Sequence, residues 1–329
     1  MHHLTFKRWS LINGIMLALL AVTVVLALNI GSESVSIFSG GLTDTDYAII
    51  FHSRLPRILL GVLVGIALGS GGTTFQALLK NPLADPYILG ISGGAALGSV
   101  VGTALSLPFP LVCLTALASS AASMFLIYWA SRFHGRLPPH TLLLTGVIFN
   151  AFAFAFIMLI HSIVTLEQAH EILFLLIGNL DIQRYQMILV SAIFIAVGFA
   201  ALCAYSSRMN VISLGDDTAI ALGIDVSRTR KIIFFGASLM IGAAVSVSGL
   251  IGFVGLFIPH AVRLVFGGDN RVIVPASALA GAIFLVWSDT LARTVLMHGQ
   301  YQTQLPVGVI TALIGGPVFV FLLRRSLSG

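Results

Sequence analysis

The sequence has 329 residues, of which 57% are hydrophobic and only 9% are charged, and its mean hydropathy is +1.02. Soluble domains carry about 25% charged residues, so the composition excludes a soluble protein and predicts an integral membrane protein without a second globular unit. The pI near 9.6 does not indicate nucleic-acid binding, because the basic residues lie in short loops between apolar segments, where they encode orientation in a bilayer.

Ten apolar segments have the length of membrane spans, since a helix needs about 20 residues to cross the hydrocarbon. They lie near residues 11–30, 57–79, 86–105, 111–129, 141–163, 187–205, 232–248, 250–265, 272–296 and 306–323. The seventh and eighth follow each other without a polar break, and one helix over both would measure about 50 Å. We therefore place a tight turn at Ser248-Gly249.

The distribution of basic residues favours ten spans. Both termini then lie on one side, which carries thirteen basic residues, while the other side carries only Arg54, Arg57, Arg184 and Arg293. Cytoplasmic loops are enriched in Lys and Arg. We predict an all-α polytopic membrane protein with ten transmembrane helices, cytoplasmic termini and a single membrane domain over residues 1–329.

Glycines recur every four positions on the second and third spans. The positions are Gly61, Gly65 and Gly69 on the second span, and Gly90, Gly94, Gly98 and Gly102 on the third. Small residues four apart share one helix face and allow the close backbone approach by which helices associate in a bilayer. We expect both faces to be helix–helix contacts.

Three of the basic residues on the sparsely charged side, Arg54, Arg57 and Arg293, lie at the outer ends of spans. Their guanidinium groups suit carboxylates on a partner protein, because each offers several hydrogen-bond donors in one plane. The alternative is that the three side chains are unrelated and extend to place their charges at the membrane surface. Asp289 precedes Arg293 by four residues within a span. We favour a structural ion pair for this acid over a proton relay.

The run Leu214–Arg230 is one of the few polar stretches, and it exceeds the roughly two to six residues of an ordinary connection. We expect Asp216 to cap a short helix, Thr218–Leu222, which Gly223 ends in a left-handed conformation. Asp225 or Ser227 would start a second short turn. On these residues alone, a docking surface on the cytoplasmic side and a plain solvated loop both remain open.

No phosphate-binding, zinc-protease or serine-hydrolase motif is present, so the sequence does not indicate an enzyme. Cys113 and Cys203 fall in apolar spans, which favours packing over a metal site. For His260 we expect a hydrogen bond at a helix end. A contact of His161 and His298 with a metal-bearing substrate at the outer mouth is the less favoured reading.

Seven motifs occur in a characteristic order. They are RLPR at 54–57, NPLADP at 81–86, LGISGGAALG at 89–98, LGDDTAIALGI at 214–224, SGLIGFVGLFIPHAVRL at 248–264, DTLAR at 289–293 and LPVGVITALIGGPVFVFLL at 305–323. With these motifs the chain resembles the FecCD family, the permease subunits of ABC importers for iron–siderophores, haem and vitamin B12.

The resemblance implies a type II importer in the bacterial inner membrane. Two ten-helix subunits, expected to form a homodimer or else a close heterodimer, enclose the transport path between them. Two ATPase subunits and a periplasmic binding protein would be the partners, with no nucleic acid. ATP and magnesium would bind the ATPase, so the chain itself is expected to be neither an enzyme nor a cofactor carrier.

The resemblance also implies roles for particular residues. Coupling to the ATPase would fall to Leu214, Gly215, Asp216, Asp217, Thr218, Ala221, Leu222 and Gly223 in the loop of about 214–230. Binding-protein acids would be held by Arg54, Arg57 and Arg293. The inner gate would involve Asn81, Pro82, Leu83, His140 and Thr141, and the fifth and tenth spans would line the path.

Two departures from the family pattern concern the outer mouth. Gln304 stands where the family commonly has Glu, and FLLIGNL at 174–180 stands where it commonly has W-x-x-G-S-L. These departures weaken any inference of the substrate from other members of the family. Because iron chelates are the commoner substrates in the family, we favour an iron chelate, with vitamin B12 as the alternative. The alternative class is an ion-coupled secondary transporter with Asp289 as its relay.

The fifth span carries Phe149, Phe152 and Phe156 on one face. This face fits either a smooth wall of the path or ordinary helix packing, because aromatic side chains serve both purposes. We favour packing.

Overall fold

The computed structural model describes residues 6–31, 35, 43–132, 137–181, 184–296 and 304–327, and all regular structure in these residues is helical. This confirms the all-α prediction. The helices of the described residues are α1 Phe6–Asn29, α2 Asp44–Ala48, α3 Leu55–Leu79, α4 Ile91–Ala104, α5 Phe109–Ser131, α6 Pro139–Ile163, α7 Leu166–Ile177, α8 Tyr185–Ser213, α9 Asp216–Ala221, α10 Val226–Ser248, α11 Val254–Phe266, α12 Asn270–Thr294 and α13 Val307–Leu327. A π-helical turn, Ile49–Arg54, joins α2 to α3, and a 3-10 turn, Pro86–Leu89, precedes α4.

Seven helical segments of the described residues are long and apolar enough to cross a membrane. They contain α1, α3, α5, α6, α8, α10 and α12. Shorter apolar helices, α4, α11 and α13, occupy the other three predicted positions. A helix of 14 residues, such as α4, is about 21 Å long, less than the hydrocarbon thickness. The chain is therefore a multi-pass membrane protein, while the count of ten spans stays a prediction.

The long apolar stretch after residue 232 is divided where the sequence predicts. α10 ends at Ser248, and Gly249 follows with φ +65°. The predicted eighth span is wrong at its start, because α11 begins at Val254 and not at 250. The intervening backbone pairs with the end of α7 instead: Asn179 N–H donates to Ser248 O at 2.8 Å, and Leu250 N–H donates to Leu175 O at 3.2 Å.

The glycine face of α3 packs directly on the backbone of α12. A Cβ added at Gly65 would meet the backbone of Gly281 and Ala282, and one added at Gly69 would meet the carbonyl oxygen of Ser277. Any larger side chain would therefore push the two helices apart. The glycine face of α4 meets α5 in the same way, since Gly94 and Gly98 lie against residues 115–123. Both predicted contact faces are confirmed.

Burial is uneven among the helices. Within the membrane-length windows, 78% of the residues around α3 and 72% of those in α10 are buried, but only 17% of those in α6. The core therefore forms around α3 and α10, and α6 keeps most of its apolar surface exposed. Of the two cysteines, Cys113 is buried as expected, whereas Cys203 is exposed on α8, so the packing role predicted for it is wrong within this chain.

Candidate functional site

Predicted functional residues lie near both ends of helix α3: Arg57 at its start, and Asn81 just beyond Lys80. Arg57 lies in its first turn, and Lys80 follows its last residue with a left-handed φ of +51°. A helix of 25 residues is about 38 Å long, so the two groups lie on opposite sides of the molecule. We call these the arginine end and the loop end, because the Leu214–Arg230 loop lies near Lys80.

A buried ion network holds the arginine end. Asp289 on α12 accepts from Nε of Arg57 at 2.8 Å and from Nε of Arg293 at 3.0 Å. All three side chains are buried. The predicted Asp289–Arg293 pair is confirmed, and Arg57 joins it from α3. Both carboxylate oxygens of Asp289 thus accept hydrogen bonds from guanidinium groups, which suits a structural pair better than a proton relay.

Arg57 has two further contacts near the surface. Its Nη1 donates to Oε1 of Gln304 at 2.8 Å and lies 3.6 Å from the carboxylate of Asp181, whose side chain is 54% exposed. Gln304, which replaces the Glu common in the family, therefore contributes an uncharged acceptor. One guanidinium thus links α3, α12, the segment before α13 and the segment after α7.

Arg54, which immediately precedes α3, is also buried. Its Nη1 donates to the carbonyl oxygens of Leu28 at 2.8 Å and Val35 at 3.0 Å. Leu28 lies in the last turn of α1, where carbonyl groups lack partners within the helix. Arg54 therefore anchors the end of α1. All three predicted docking arginines are buried within the chain, and their contact with a partner remains a prediction.

A cavity of about 670 Å³ opens beside the arginine end, between α7 and the start of α5. Its wall includes the acids Glu167, Glu171 and Asp181. Phe174 and Asn179, from the segment that departs from the family pattern, also line it. The departure therefore alters the lining of a real cavity.

The Leu214–Arg230 loop differs from its predicted form. Its helix is α9, Asp216–Ala221, and Gly215 with φ +125° precedes it, so the predicted helix Thr218–Leu222 and the cap by Asp216 are wrong. The carboxylate of Asp216 is instead bound by Lys80 and Arg230. Gly223 does end the short helix at φ +77°, as predicted. Asp225 caps α10 itself by accepting from Arg228 N–H at 2.8 Å, so no second short turn exists.

The loop presents an apolar surface on a fixed base. Ala219 is fully buried against Ile212 and Val226, which holds α9 on the ends of α8 and α10. On the opposite side Leu214, Ile220 and Leu222 are each more than half exposed. Thr218, Ala221 and Gly223 are exposed beside them. Exposed apolar residues on a fixed short helix are typical of a protein docking surface.

Asp216 joins this loop to the rest of the loop end. Its Oδ1 accepts from Nζ of Lys80 at 3.1 Å and from Nη2 of Arg230 at 2.8 Å. Burial alone would raise the pKa of Asp216, but the hydrogen bonds and charges of Lys80 and Arg230 outweigh it and hold the pKa below its usual value. The carboxylate is therefore ionised at neutral pH.

The predicted inner-gate residues lie in two segments of the loop end. Asn81 follows Lys80 and accepts from the N–H of Leu83 at 2.9 Å, which fixes a turn in which Pro82 and Leu83 are exposed. His140 and Thr141 lie in the first turn of α6, where His140 is exposed. Within the described residues no hydrogen bond joins the two segments.

Next to the first gate segment lies a cavity of about 460 Å³, lined by Leu83, Asp85, Asn150 and Phe253 among others. Burial raises the pKa of Asp85 to about 6, although the hydrogen bond from Tyr87 N–H opposes the shift. The wall of this cavity therefore includes an ionisable carboxyl group.

The aromatic face of α6 is divided. Phe149 packs against the core, whereas Phe152 and Phe156 are exposed and contact each other at 4.7 Å between ring centroids. The prediction that these three side chains pack against other helices therefore holds within this chain for Phe149, but not for Phe152 and Phe156. On α13, Leu313, Val320 and Phe321 are exposed as well. Both helices that the resemblance assigns to the path thus present apolar side chains outward.

Sequence reasoning missed Lys80, Arg230, Asp181 and Ile220 as members of these sites. The partners are 14 to 232 residues apart along the chain, so no local spacing reveals them. Ile220 had a signal, because an exposed apolar residue in a polar loop is unusual. His298, which the sequence suggests for the outer mouth, lies outside the described residues. His161 lies in the last turn of α6 with a buried Nε2 that has no hydrogen-bond partner in the described residues.

Comparison with known proteins places these sites in a family. The model of the FecCD transport family matches residues 14–325. The chain is 41% identical to the cobalamin import system permease protein BtuC of Halobacterium salinarum, over 86% of this chain and 75% of that one. It is 37% identical to the hemin transport system permease protein HmuU of Yersinia pestis, over 96% of each chain.

A solved structure has the same fold. It shows an inward-facing conformation of an ABC transporter of proposed metal-chelate type, with a TM-score of 0.87 and 28% identity over 95% of this chain and 99% of that chain.

Asp289→Asn should destabilise the protein strongly. The change leaves two buried guanidinium groups without their counter-charge, which costs about 3–5 kcal/mol of unfolding free energy. Thermal unfolding in detergent or nanodiscs measures the loss. The matched control is Asp181→Asn, which removes an exposed carboxylate from the same Arg57 and should cost at most about 1 kcal/mol. Equal, small losses in both variants would contradict the network described above.

Proposed function

The chain belongs to the FecCD transport family and is a permease subunit of an ATP-binding cassette importer, and on that premise we propose the rest of its assembly and its mechanism. The proposed assembly has two copies of this chain, two separate ATPase subunits and a periplasmic binding protein, in the bacterial inner membrane. Each copy would have ten spans, with α4, α11 and α13 as the short ones, and both termini in the cytoplasm. The loop end then faces the cytoplasm, which agrees with its basic residues.

We place the energy-coupling contact at the Leu214–Arg230 loop. ATP and magnesium would bind the separate ATPase, so this chain hydrolyses nothing itself and needs no cofactor of its own. The observation that supports the contact is the exposed apolar surface of Leu214, Ile220 and Leu222 on a helix whose base is buried. An exposed face of this kind suits a cleft in a partner protein.

We place binding-protein docking at the arginine end. Arg57 offers the docking group, because among the described residues its Nη1 contacts Gln304 and the exposed Asp181, whereas its Nε is fixed on buried Asp289. A carboxylate of the binding protein would replace one of the two surface partners. Arg293 and Arg54 would act mainly by adding positive charge behind it.

The cargo is proposed to be a metal chelate, either an iron–siderophore or haem, with cobalamin as the alternative. The named relatives carry hemin and cobalamin, and the solved neighbour is of proposed metal-chelate type. The cavity lined by Phe174 and Asn179 would meet the cargo first, because it opens at the proposed outer side.

The rival function is a carrier driven by an ion gradient. It would need Asp289 to exchange protons, whereas both oxygens of this buried acid are occupied by hydrogen bonds from Arg57 and Arg293, as in a structural ion network. The observation therefore favours the ATP-driven importer.

Uptake by a strain that lacks only this gene tests the cargo. Labelled ferric siderophore, haem and cobalamin are supplied in turn, with and without ATP depletion, and the gene is returned on a plasmid as the control. We expect the loss of one ATP-dependent uptake and its return with the plasmid. If all three uptakes persist in a strain without other importers of the family, the proposed cargo class is wrong.

Gly223→Pro should separate ATP hydrolysis from uptake. Proline holds φ near −65° and has no N–H, whereas Gly223 has φ +77° and donates to Ile220 O at 2.9 Å. We expect the reconstituted transporter to hydrolyse ATP with little uptake. Gly223→Asn is the control, because Asn tolerates the left-handed conformation and keeps its N–H. Normal uptake per ATP in the proline variant would remove the coupling assignment.

Gln304→Glu and Asp181→Asn should shift binding-protein affinity in opposite directions. The first places a fixed carboxylate against Nη1 of Arg57 and should weaken docking several-fold, while the second removes a competing carboxylate and should strengthen it. Both effects should shrink as salt is raised, because charges near the surface are screened. Affinity of the purified binding protein for the nanodisc-embedded transporter is the measurement. Unchanged affinity in both variants would exclude Arg57 from docking.

A further inference from the structure

We propose that Asp216 is the positioning residue that ties the ATPase-coupling helix to both predicted gate segments at once. Its single carboxylate joins α9 to the chain just before Asn81 and, through Arg230, to the chain just before α6. The proposal rests on the proposed function, because it takes for granted that an ATPase moves the Leu214–Arg230 loop. No motif distinguishes this acid from its neighbour Asp217.

The first of these two connections, which we call the Lys80 arm, is the ion pair between Lys80 and Asp216. Nζ of Lys80 lies 3.1 Å from Oδ1 of Asp216, and the backbone of Lys80 closes α3 in a left-handed conformation. The next residue is Asn81, whose N–H donates back to Gln76 O at 3.1 Å and whose side chain fixes the turn through Leu83. A displacement of α9 therefore pulls on the residue at which the first gate segment begins.

The second connection, the Arg230 arm, joins Asp216 to Leu137 through the guanidinium group of Arg230. Its Nη2 donates to Oδ1 of Asp216 at 2.8 Å, and its Nη1 makes a longer hydrogen bond, 3.4 Å, to the carbonyl oxygen of Leu137. Leu137 is buried and is followed by Pro138 and Pro139. Two successive prolines restrict the backbone dihedral angles. A displacement of Leu137 is therefore transmitted to His140.

The two arms differ in strength. The Lys80–Asp216 pair is about two-fifths exposed on both sides, and exposed ion pairs are weak enough to break and re-form during a cycle. Arg230 is buried, and its Nε has no hydrogen-bond partner in the described residues, so it depends on Asp216 for its counter-charge. The Arg230 arm is therefore the permanent connection and the Lys80 arm is the releasable one.

Within the part of the chain that the structure describes, Asp217 has no ion pair or side-chain hydrogen bond, although it lies next to Asp216 on the same helix. If Asp216 served only to stabilise α9, its ion pair with Arg230 on α10 would be sufficient. The added contact with Lys80, across 136 residues of sequence, has no such local purpose.

The test follows both gate segments in the complete transporter, with its ATPase, in nanodiscs. Cys113 and Cys203 are replaced by Ala, and a single reporter is introduced as Leu83→Cys or His140→Cys, both at exposed positions. The rate of labelling by a charged maleimide is measured without nucleotide and with ATP and vanadate. In the parent we expect nucleotide to change both rates by at least about fivefold, the lower end of usual coupling between two sites.

The variants separate the two arms. Asp216→Asn should abolish the nucleotide response at both reporters while ATP hydrolysis continues. Lys80→Gln should abolish it at Leu83→Cys alone, because Arg230 still binds Asp216. The control is Asp269→Asn at the same end of the helices. Asp269 pairs with Arg271, accepts from Asn210 and caps α12. In the described residues it makes no hydrogen bond or ion pair with a gate segment, so both responses should persist.

Each other outcome has a defined meaning. Responses that persist at both reporters in Asp216→Asn overturn the proposal, and so does equal loss in Asp269→Asn. If Asp216→Asn fails to assemble, Lys80→Gln decides, and an unselective effect or no effect there overturns the proposal. If the parent transports cargo without its ATPase, the proposed function itself is wrong, which the parent alone reveals.

Discussion

The close contact between α3 and α12 is the constraint on which the rest of the molecule depends. In a bilayer, apolar surface is as well solvated by lipid as by another helix, so association needs close backbone packing or polar contacts. Here Gly65 and Gly69 bring α3 against the backbone of α12, and the Arg57–Asp289 pair joins the same two helices at one end. Close packing and charge therefore hold the same pair of helices, and α3 becomes a stiff element between the two functional ends.

The two ends of α3 are built differently, and the difference fits their proposed tasks. At the arginine end the ion network is buried, so breaking it costs several kcal/mol and its geometry is fixed. At the loop end Asp216 is held by one exposed and one buried cation, which leaves part of the connection adjustable. A permease needs a fixed platform for its binding protein and a movable contact for its ATPase.

The sequence was sufficient for features that depend on local spacing. The apolar segments, the glycine faces of α3 and α4, the turn at Gly249 and the Asp289–Arg293 pair all follow from periodicity or from separations of four residues or fewer. Partners distant in sequence were not predictable: Arg57 meets Asp289 across 232 residues, and Lys80 meets Asp216 across 136. The same limit explains the error at Asp216, which a local cap rule assigns to the backbone although two distant cations bind it. It also explains the error at Arg54, which we expected to face outward but which is buried against the end of α1.

Transport by purified components tests the central claim most directly. Proteoliposomes would contain this permease with or without the proposed ATPase subunit, and the proposed binding protein loaded with cargo would be added on the side of the arginine end. We predict uptake only with the ATPase and internal ATP, and no effect of a proton ionophore. Uptake without the ATPase that collapses with the ionophore would contradict the account.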